Sequence, residues 1–212
     1  MAGDYSQVTM GTEFWAAIFG RSAPVEVEIG PGTGTFLLSE AAARGETNFY
    51  AIEASRSRAE RLTALIEKRD LRNVRVVHAP AQCVVRLIPD ASVTAYHVYF
   101  PDPWWKRRHH KRRLFTPGFT RELARTLVPG GRVYVATDVL FVWDQIQEYL
   151  EGSGLPLSTL PVPPRATPTA FERKGLRRGV PIWEGTFVRP SAASAATQAP
   201  MESWHTVAAD RT

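Results

Sequence analysis

Among 212 residues there is one cysteine, Cys83. A single thiol can form no internal disulfide and no cysteine zinc cluster, and a small buried hydrophobe is its expected role. Long apolar runs are missing as well: no stretch reaches the roughly 18 residues that a membrane span needs. The N-terminus has no basic segment followed by an apolar one, so no secretory signal is read there. No internal repeat is found. His109 and His110 have no partners at metal-ligand spacing, so no metal is expected. These absences predict a cytoplasmic chain with neither membrane nor metal chemistry.

Acidic residues are scarce in one place above all. The run Phe100-Pro-Asp-Pro-Trp-Trp-Lys-Arg-Arg-His-His-Lys-Arg-Arg-Leu114 sets Asp102 alone against Lys106, Arg107, Arg108, Lys111, Arg112 and Arg113. Net charge is +5 and the isoelectric point about 9.7. Removing those six cations leaves −1, so the excess is concentrated rather than spread. A concentrated basic patch is the footprint of a nucleic-acid or other polyanion site; a solubilising surface loop is the plainer alternative. The Pro-Asp-Pro-Trp-Trp lead favours the first, since a solvated charge run has no use for a stiffened carboxylate.

With 44% hydrophobic residues the chain can bury a full core in one domain, expected over residues 1–190. Residues 1–23 form a short lead in which Phe14, Trp15, Ile18 and Phe19 recur at helical spacing. Strands are predicted at 25–29, 48–52, 74–78, 92–100 and 132–137, with helices at 35–44, 56–69, 116–127 and 141–150. Pro129-Gly130-Gly131 should stop the third of these helices. A short edge strand at 155–160 and a last strand at 182–189 follow. Residues 191–212 are rich in Ala, Ser and Thr and read as a disordered tail. Strands alternating with helices predict an α/β fold, a mostly parallel sheet with helices on both faces. Such sheets bind ligands at the carboxyl ends of their strands, where Gly30–Gly34, Glu53, Asp102 and Asp138 all fall.

Glu28-Ile-Gly30-Pro-Gly32-Thr-Gly34 follows a strand and opens a helix. A dinucleotide fingerprint has its third glycine one residue later. The G-x-G-x-G spacing suits a nucleoside cofactor without phosphates, namely S-adenosylmethionine; a structural turn is the alternative. Glu53 lies 19 residues beyond Gly34, the offset of a ribose-binding acid. Glu28 could face the cofactor's ammonium or be an exposed alternating residue. The third strand ends without a carboxylate at Ala79, leaving Gln82 or a backbone amide for the adenine.

Several segments resemble the bacterial tRNA (guanine-N7-)-methyltransferase family, which acts on the variable-loop guanine at tRNA position 46. They are Phe14–Phe19, Glu28–Gly34, Glu53, the Pro-Asp-Pro-Trp-x-Lys and His-x-Lys-Arg-Arg elements of Phe100–Leu114, Ala136-Thr-Asp138, and Thr169-Ala-Phe-Glu172 with Gly175, Gly179 and Ile182-Trp183. The resemblance spans about residues 12–190. It implies a Rossmann-like class I methyltransferase fold. It also implies that Glu28, Glu53 and the glycines Gly30, Gly32 and Gly34 bind S-adenosylmethionine, that Asp102 is cofactor-proximal and catalytic, and that Lys106, Asp138, Thr169 and Glu172 bind substrate. The family typically has an aspartate where this chain has Ala79.

Guanine N7 bears a lone pair and no proton, so its methylation needs alignment and charge stabilisation rather than a base. Asp102 could stabilise the positive guanine or accept from its N1–H and N2–H₂ edge. Trp104 or Trp105 could stack on an extruded base or pack the loop. Arg107, Arg108, Lys111, Arg112 and Arg113 would grip the tRNA backbone. Thr169–Glu172 can also read as a helix capping box. A methyltransferase of another RNA or a small molecule, and an RNA-binding relative without catalysis, are the rival readings. No obligate protein partner is evident, and a monomer is expected.

Overall fold

The computed structural model describes residues 5–163, 172, 173 and 179–191. Seven strands form one sheet: β1 (Val25–Ile29), β2 (Asn48–Glu53), β3 (Val74–His78), β4 (Val93–Tyr99), β5 (Leu127–Thr137), β6 (Leu157–Ser158) and β7 (Trp183–Val188). Their spatial order is β3-β2-β1-β4-β5-β7-β6. Strands β1 to β5 pair in parallel, and β7 runs antiparallel to β5 and β6. Chain order therefore reverses between β1 and β4, the switch point where a parallel sheet opens a crevice.

Among the described residues the sheet is covered by the helices α1 (Tyr5–Phe19), α2 (Thr35–Ala43), α3 (Arg56–Lys68), α4 (Ala81–Val85), α5 (Pro117–Thr126) and α6 (Leu140–Glu151). One face is sealed by Leu37, Leu38 and Ala41 of α2 and Leu62 and Ile66 of α3, against Phe49, Ala51 and Val74. The other carries the larger core, where Trp15 and Phe19 of α1, Phe119 and Leu123 of α5 and Ile146 and Leu150 of α6 meet Val27, Tyr96, Val98, Val135 and Phe187. The expected α/β architecture is the observed one, and the α1 aromatics pack as their spacing foretold.

Two expectations fail locally. Pro129-Gly130-Gly131 does not separate helix from strand by an open turn. Strand β5 begins at Leu127, opposite Val93, and its next partner pair is Arg132 with Ala95, so the intervening residues swell out as a bulge. Gly130 takes φ +79°, and the bulge is stitched to the end of β7 by Gly130 N–H to Arg189 O (2.8 Å) and Arg189 N–H to Gly131 O (2.9 Å). Cys83 is exposed rather than buried. The short α4 buries Ala81, Val84 and Val85, one helical stripe, and this turns Cys83 outward. The tail beyond residue 191 lies outside the described residues.

Trp15 joins the first helix to the sheet: it is 3% exposed, and its indole N–H donates to Ser92 O at 3.0 Å. Trp15→Ala should cost about 3–5 kcal/mol of unfolding free energy. Trp15→Phe, which loses the bond and leaves a thinner cavity, should cost about 1–2 kcal/mol. Urea unfolding of the two variants checks the order; equal losses would mean that the ring contributes little.

Candidate active site

The glycine loop leaves β1 and enters α2 with Gly30, Gly32 and Gly34 at φ +72°, +58° and +73°, a region costly for other residues. At Gly34 space matters too: a Cβ there would come within 2.4 Å of Leu62 Cδ1, so this glycine lets α2 pack on α3. At Gly30 a Cβ would meet nothing within 4 Å. The loop's first glycine thus faces open space, with backbone bare enough for close approach of a ligand.

Beneath this loop lie three glutamates with different surroundings. Glu26 and Glu28 point to the same face of β1, being two residues apart. Glu26 is saturated: Arg44 donates to both its oxygens (2.7 and 2.8 Å), and it lies 2.8 Å from His97 Nε2. Burial pushes the Glu26 carboxyl up, but the bonds to His97 and Arg44 outweigh this and hold it at about 2. Glu28 has no such company. It is 4% exposed, and its Oε2 has no partner among the described residues. Burial, then the charges of Glu53 and Glu40, push its carboxyl up to about 8. Glu53, at the end of β2, is pinned by Gly32 N–H to Oε2 (3.2 Å) and Ser55 N–H to Oε1 (2.8 Å). Each oxygen keeps a lone pair for a further donor.

The charged loop leaves the end of β4. Its first residue, Phe100, has φ +52° and donates its N–H to Ala136 O at 2.7 Å; Trp104 has φ +44°. Two aromatic residues in the left-handed region within five positions are backbone strain of the kind concentrated at functional sites. Asp102 stands exposed between them. The return limb holds it: Arg113 Nε donates to Pro103 O (3.0 Å) and Nη1 to Gln145 Oε1 of α6 (3.2 Å), with the guanidinium 5.0 Å from the centre of the Phe141 ring. Residues Arg107–Arg112 wind into a 3₁₀ turn. Arg112 lies 5.1 Å over the Trp104 ring, and His109 meets its edge.

Asp138, half-buried, directly follows β5. Since Tyr99 pairs with Ala136, the segments bearing Asp102 and Asp138 leave the sheet side by side. Glu28, Glu53, Asp102 and Asp138 thus share one edge of the sheet. Glu172 is half-buried and Arg173 exposed, while Thr169 lies outside the described residues. Lys106, Arg107, Arg108, Lys111 and Arg112 are exposed, as expected of a polyanion surface, whereas Arg113 is half-buried. At the third strand, Ala79 N–H is taken by Glu53 O (3.1 Å), and Gln82 opens α4 half-buried. Ser55, whose N–H orients Glu53, and the bracing role of Arg113 were not read from sequence; no motif marks either. Among the described residues no three His, Cys, Asp or Glu side chains cluster as a metal site, and no helix is long and apolar enough to cross a membrane.

The family described as "Putative methyltransferase" matches residues 22–184. The tRNA (guanine-N(7)-)-methyltransferase of Bordetella pertussis is 42% identical over 179 residues, covering 82% of this chain and 70% of the relative. That of Cupriavidus necator is 37% identical over 186 residues, covering 84% and 71%.

The chain belongs to the tRNA (guanine-N(7)-)-methyltransferase family.

Solved structures carry the same fold at low identity. The aminoglycoside resistance methyltransferase NpmB1 superposes with a TM-score of 0.62 at 18% identity, over 84% of this chain and 93% of that one. The 16S rRNA methyltransferase KamB gives 0.62 at 18%, over 83% and 92%. The fold is Rossmann-like, and the enzyme is an S-adenosylmethionine-dependent methyltransferase. The residues fit that cofactor: an orphaned, buried carboxylate suits an ammonium, a two-oxygen acceptor at the end of β2 suits a ribose diol, and the bare Gly30 backbone leaves room above.

Glu28 makes the stability of the cofactor-free protein pH-dependent. An unfolded glutamate ionises near its ordinary value of 4.5, whereas the folded one keeps its proton to about 8. Between those values the folded state binds more protons, so stability falls as pH rises, by up to roughly 5 kcal/mol. Glu26 acts the other way, its contribution being lost as pH falls from 4.5 towards about 2. Glu28→Gln should therefore gain on the wild type steadily from pH 5 to pH 8 in urea unfolding. Parallel pH curves would contradict the burial argument.

Proposed function

We propose that this enzyme transfers the methyl group of S-adenosylmethionine to N7 of a guanine in tRNA, the variable-loop guanine at position 46, with Asp102 as the catalytic residue. The observation that carries the reading is the placement of an exposed acid, Asp102, between the left-handed residues Phe100 and Trp104 just beyond β4, next to the strand that leads into the glycine loop and at the entry of a basic run. When bound, the cofactor supplies an electrophilic methyl group on a sulfonium. Glu28 would hold its ammonium, Glu53 its ribose hydroxyls, and Gly30, Gly32 and Gly34 the close backbone approach.

Strand order divides the work between the two acids that face the base. Asp102 ends the strand adjacent to β1, and Asp138 ends the next one out. Asp102 would thus be the nearer to a cofactor held at β1, and its carboxylate would stabilise the positive charge that guanine gains as N7 bonds to the methyl carbon and the methyl–sulfur bond breaks. No proton has to leave N7, so Asp102 works as a fixed charge and not as a base. Asp138 accepts from the N1–H and N2–H₂ edge, with Glu172 and Thr169 as further substrate contacts.

The exposed cations Lys106, Arg107, Arg108, Lys111 and Arg112 bind phosphates, which makes tRNA affinity fall steeply with salt. Arg113 is assigned to bracing the loop, because its guanidinium is already bonded to Pro103 and Gln145. A tRNA substrate supports a cytoplasmic location.

Incubation with labelled cofactor and unmodified tRNA should give 7-methylguanosine, and tRNA carrying 7-deazaguanosine at position 46 should accept no label. Label transferred to the deaza substrate would exclude N7. Asp102→Ala should lower turnover by about 10²-fold or more while tRNA binding changes little; equal loss of both would make Asp102 structural.

A further inference from the structure

The two segments that carry the acids share a second feature. Three residues beyond Asp102 stands Trp105, and three residues beyond Asp138 stands Phe141. Their segments leave neighbouring strands, and the two rings meet edge to face with centroids 5.0 Å apart. Neither is covered: Trp105 is 67% exposed, Phe141 37%, and the adjoining Leu140 51%. Burying such rings against the core would be the ordinary outcome.

The two tryptophans, equivalent in sequence, have separate fates. Trp104 is the left-handed residue, clasped by Arg112 and His109 and half-buried. The backbone inversion at Trp104 is followed directly by Trp105, which stands out in solvent. Behind Phe141, Arg113 lies against the ring while bonding Pro103 and Gln145. Trp105 thus rests edge to face on Phe141, which is itself backed by Arg113, and rings already in place leave less ordering to oppose binding. Directly after Trp105 in the chain come Lys106, Arg107 and Arg108, with Lys111 in the same 3₁₀ turn, all exposed. Exposed rings inside a cationic rim are the combination that binds unpaired nucleotides: the cations track the phosphates and the rings take the bases.

We propose that Trp105 and Phe141 form a stacking platform for an unpaired nucleobase of the substrate tRNA, one adjacent to the target guanine in sequence. This rests on the reading of the enzyme as a tRNA methyltransferase. The occupant is taken as a neighbour rather than the target because each ring follows its acid by three residues, and Trp105 leads directly into the basic turn. It gives the enzyme a hold on an opened strand that no phosphate contact supplies.

The test uses the full-length protein and unmodified tRNA transcripts carrying 2-aminopurine at the target position or on either side of it. Trp105→Ala should weaken tRNA binding about tenfold or more, the loss of one base–aromatic stack, with the salt dependence of binding unchanged. Trp105→Phe should recover most of the affinity. Arg107→Ala, by contrast, should reduce the salt slope by about one. The wild type should quench 2-aminopurine at a flanking position, and Trp105→Ala should not, while both keep the same melting temperature. Binding by Trp105→Ala within twofold of wild type would overturn the proposal and point to a protein partner for the patch. A reduced salt slope in that variant, or Trp105-dependent quenching only at the target position, would overturn it as well. Failure of the wild type to methylate tRNA would defeat the functional reading alone, because binding and quenching still decide whether the platform holds a base.

Discussion

A buried carboxylate without a counter-ion sets the terms for the rest of the site. Glu28 and Glu26 sit two residues apart on one strand and one face, yet Arg44 and His97 close round Glu26 and leave Glu28 bare. An ionised Glu28 in that position would carry the full cost of burial beside Glu53, so it keeps its proton. Among the described residues no cation pairs with it, which leaves the place open to a cation from a ligand. The glycine loop above, Glu53 alongside and the neighbouring strand ends all become intelligible as the surroundings of a ligand that carries one.

The parallel sheet determines where everything else can stand. Strands β1, β2, β4 and β5 end on one edge, so each delivers a single side chain or turn to the same crevice. In the function proposed above, order across the sheet would become order along the reaction: ribose at β2, ammonium at β1, methyl group and guanine at β4, base edge at β5. The loop after β4 has a prop from its own return limb. Arg113 is that prop, reaching back to Pro103 and across to α6. One cation of the basic run is thus tied into the fold, while Lys106, Arg107, Arg108, Lys111 and Arg112 stay exposed.

Much of this was readable beforehand. Short apolar, aromatic and β-branched runs located each of the central strands, because a strand buried on both faces is apolar along most of its length. Glu53 was found by its distance from Gly34. What failed did so for identifiable reasons. Pro129-Gly130-Gly131 carries every local sign of a stop, and only its hydrogen bonds to Arg189, far along the chain, make it a bulge inside a strand. Cys83 was misjudged because a five-residue helix has too short a stripe to show in the pattern. Arg113 and Arg112 look identical in a charge run, and their different partners are tertiary facts. The same holds for Trp104 and Trp105, which a single left-handed residue sends to opposite environments.

The pairing of Glu28 with the cofactor's ammonium is most directly tested by the protons released when S-adenosylmethionine binds. Titration calorimetry near pH 7, in buffers of low and high ionisation enthalpy, reads that number. With its carboxyl at about 8, Glu28 begins protonated and ends ionised, so wild type should release close to one proton and Glu28→Gln almost none. A binding enthalpy independent of buffer in the wild type, or the same release from Glu28→Gln, would contradict that pairing.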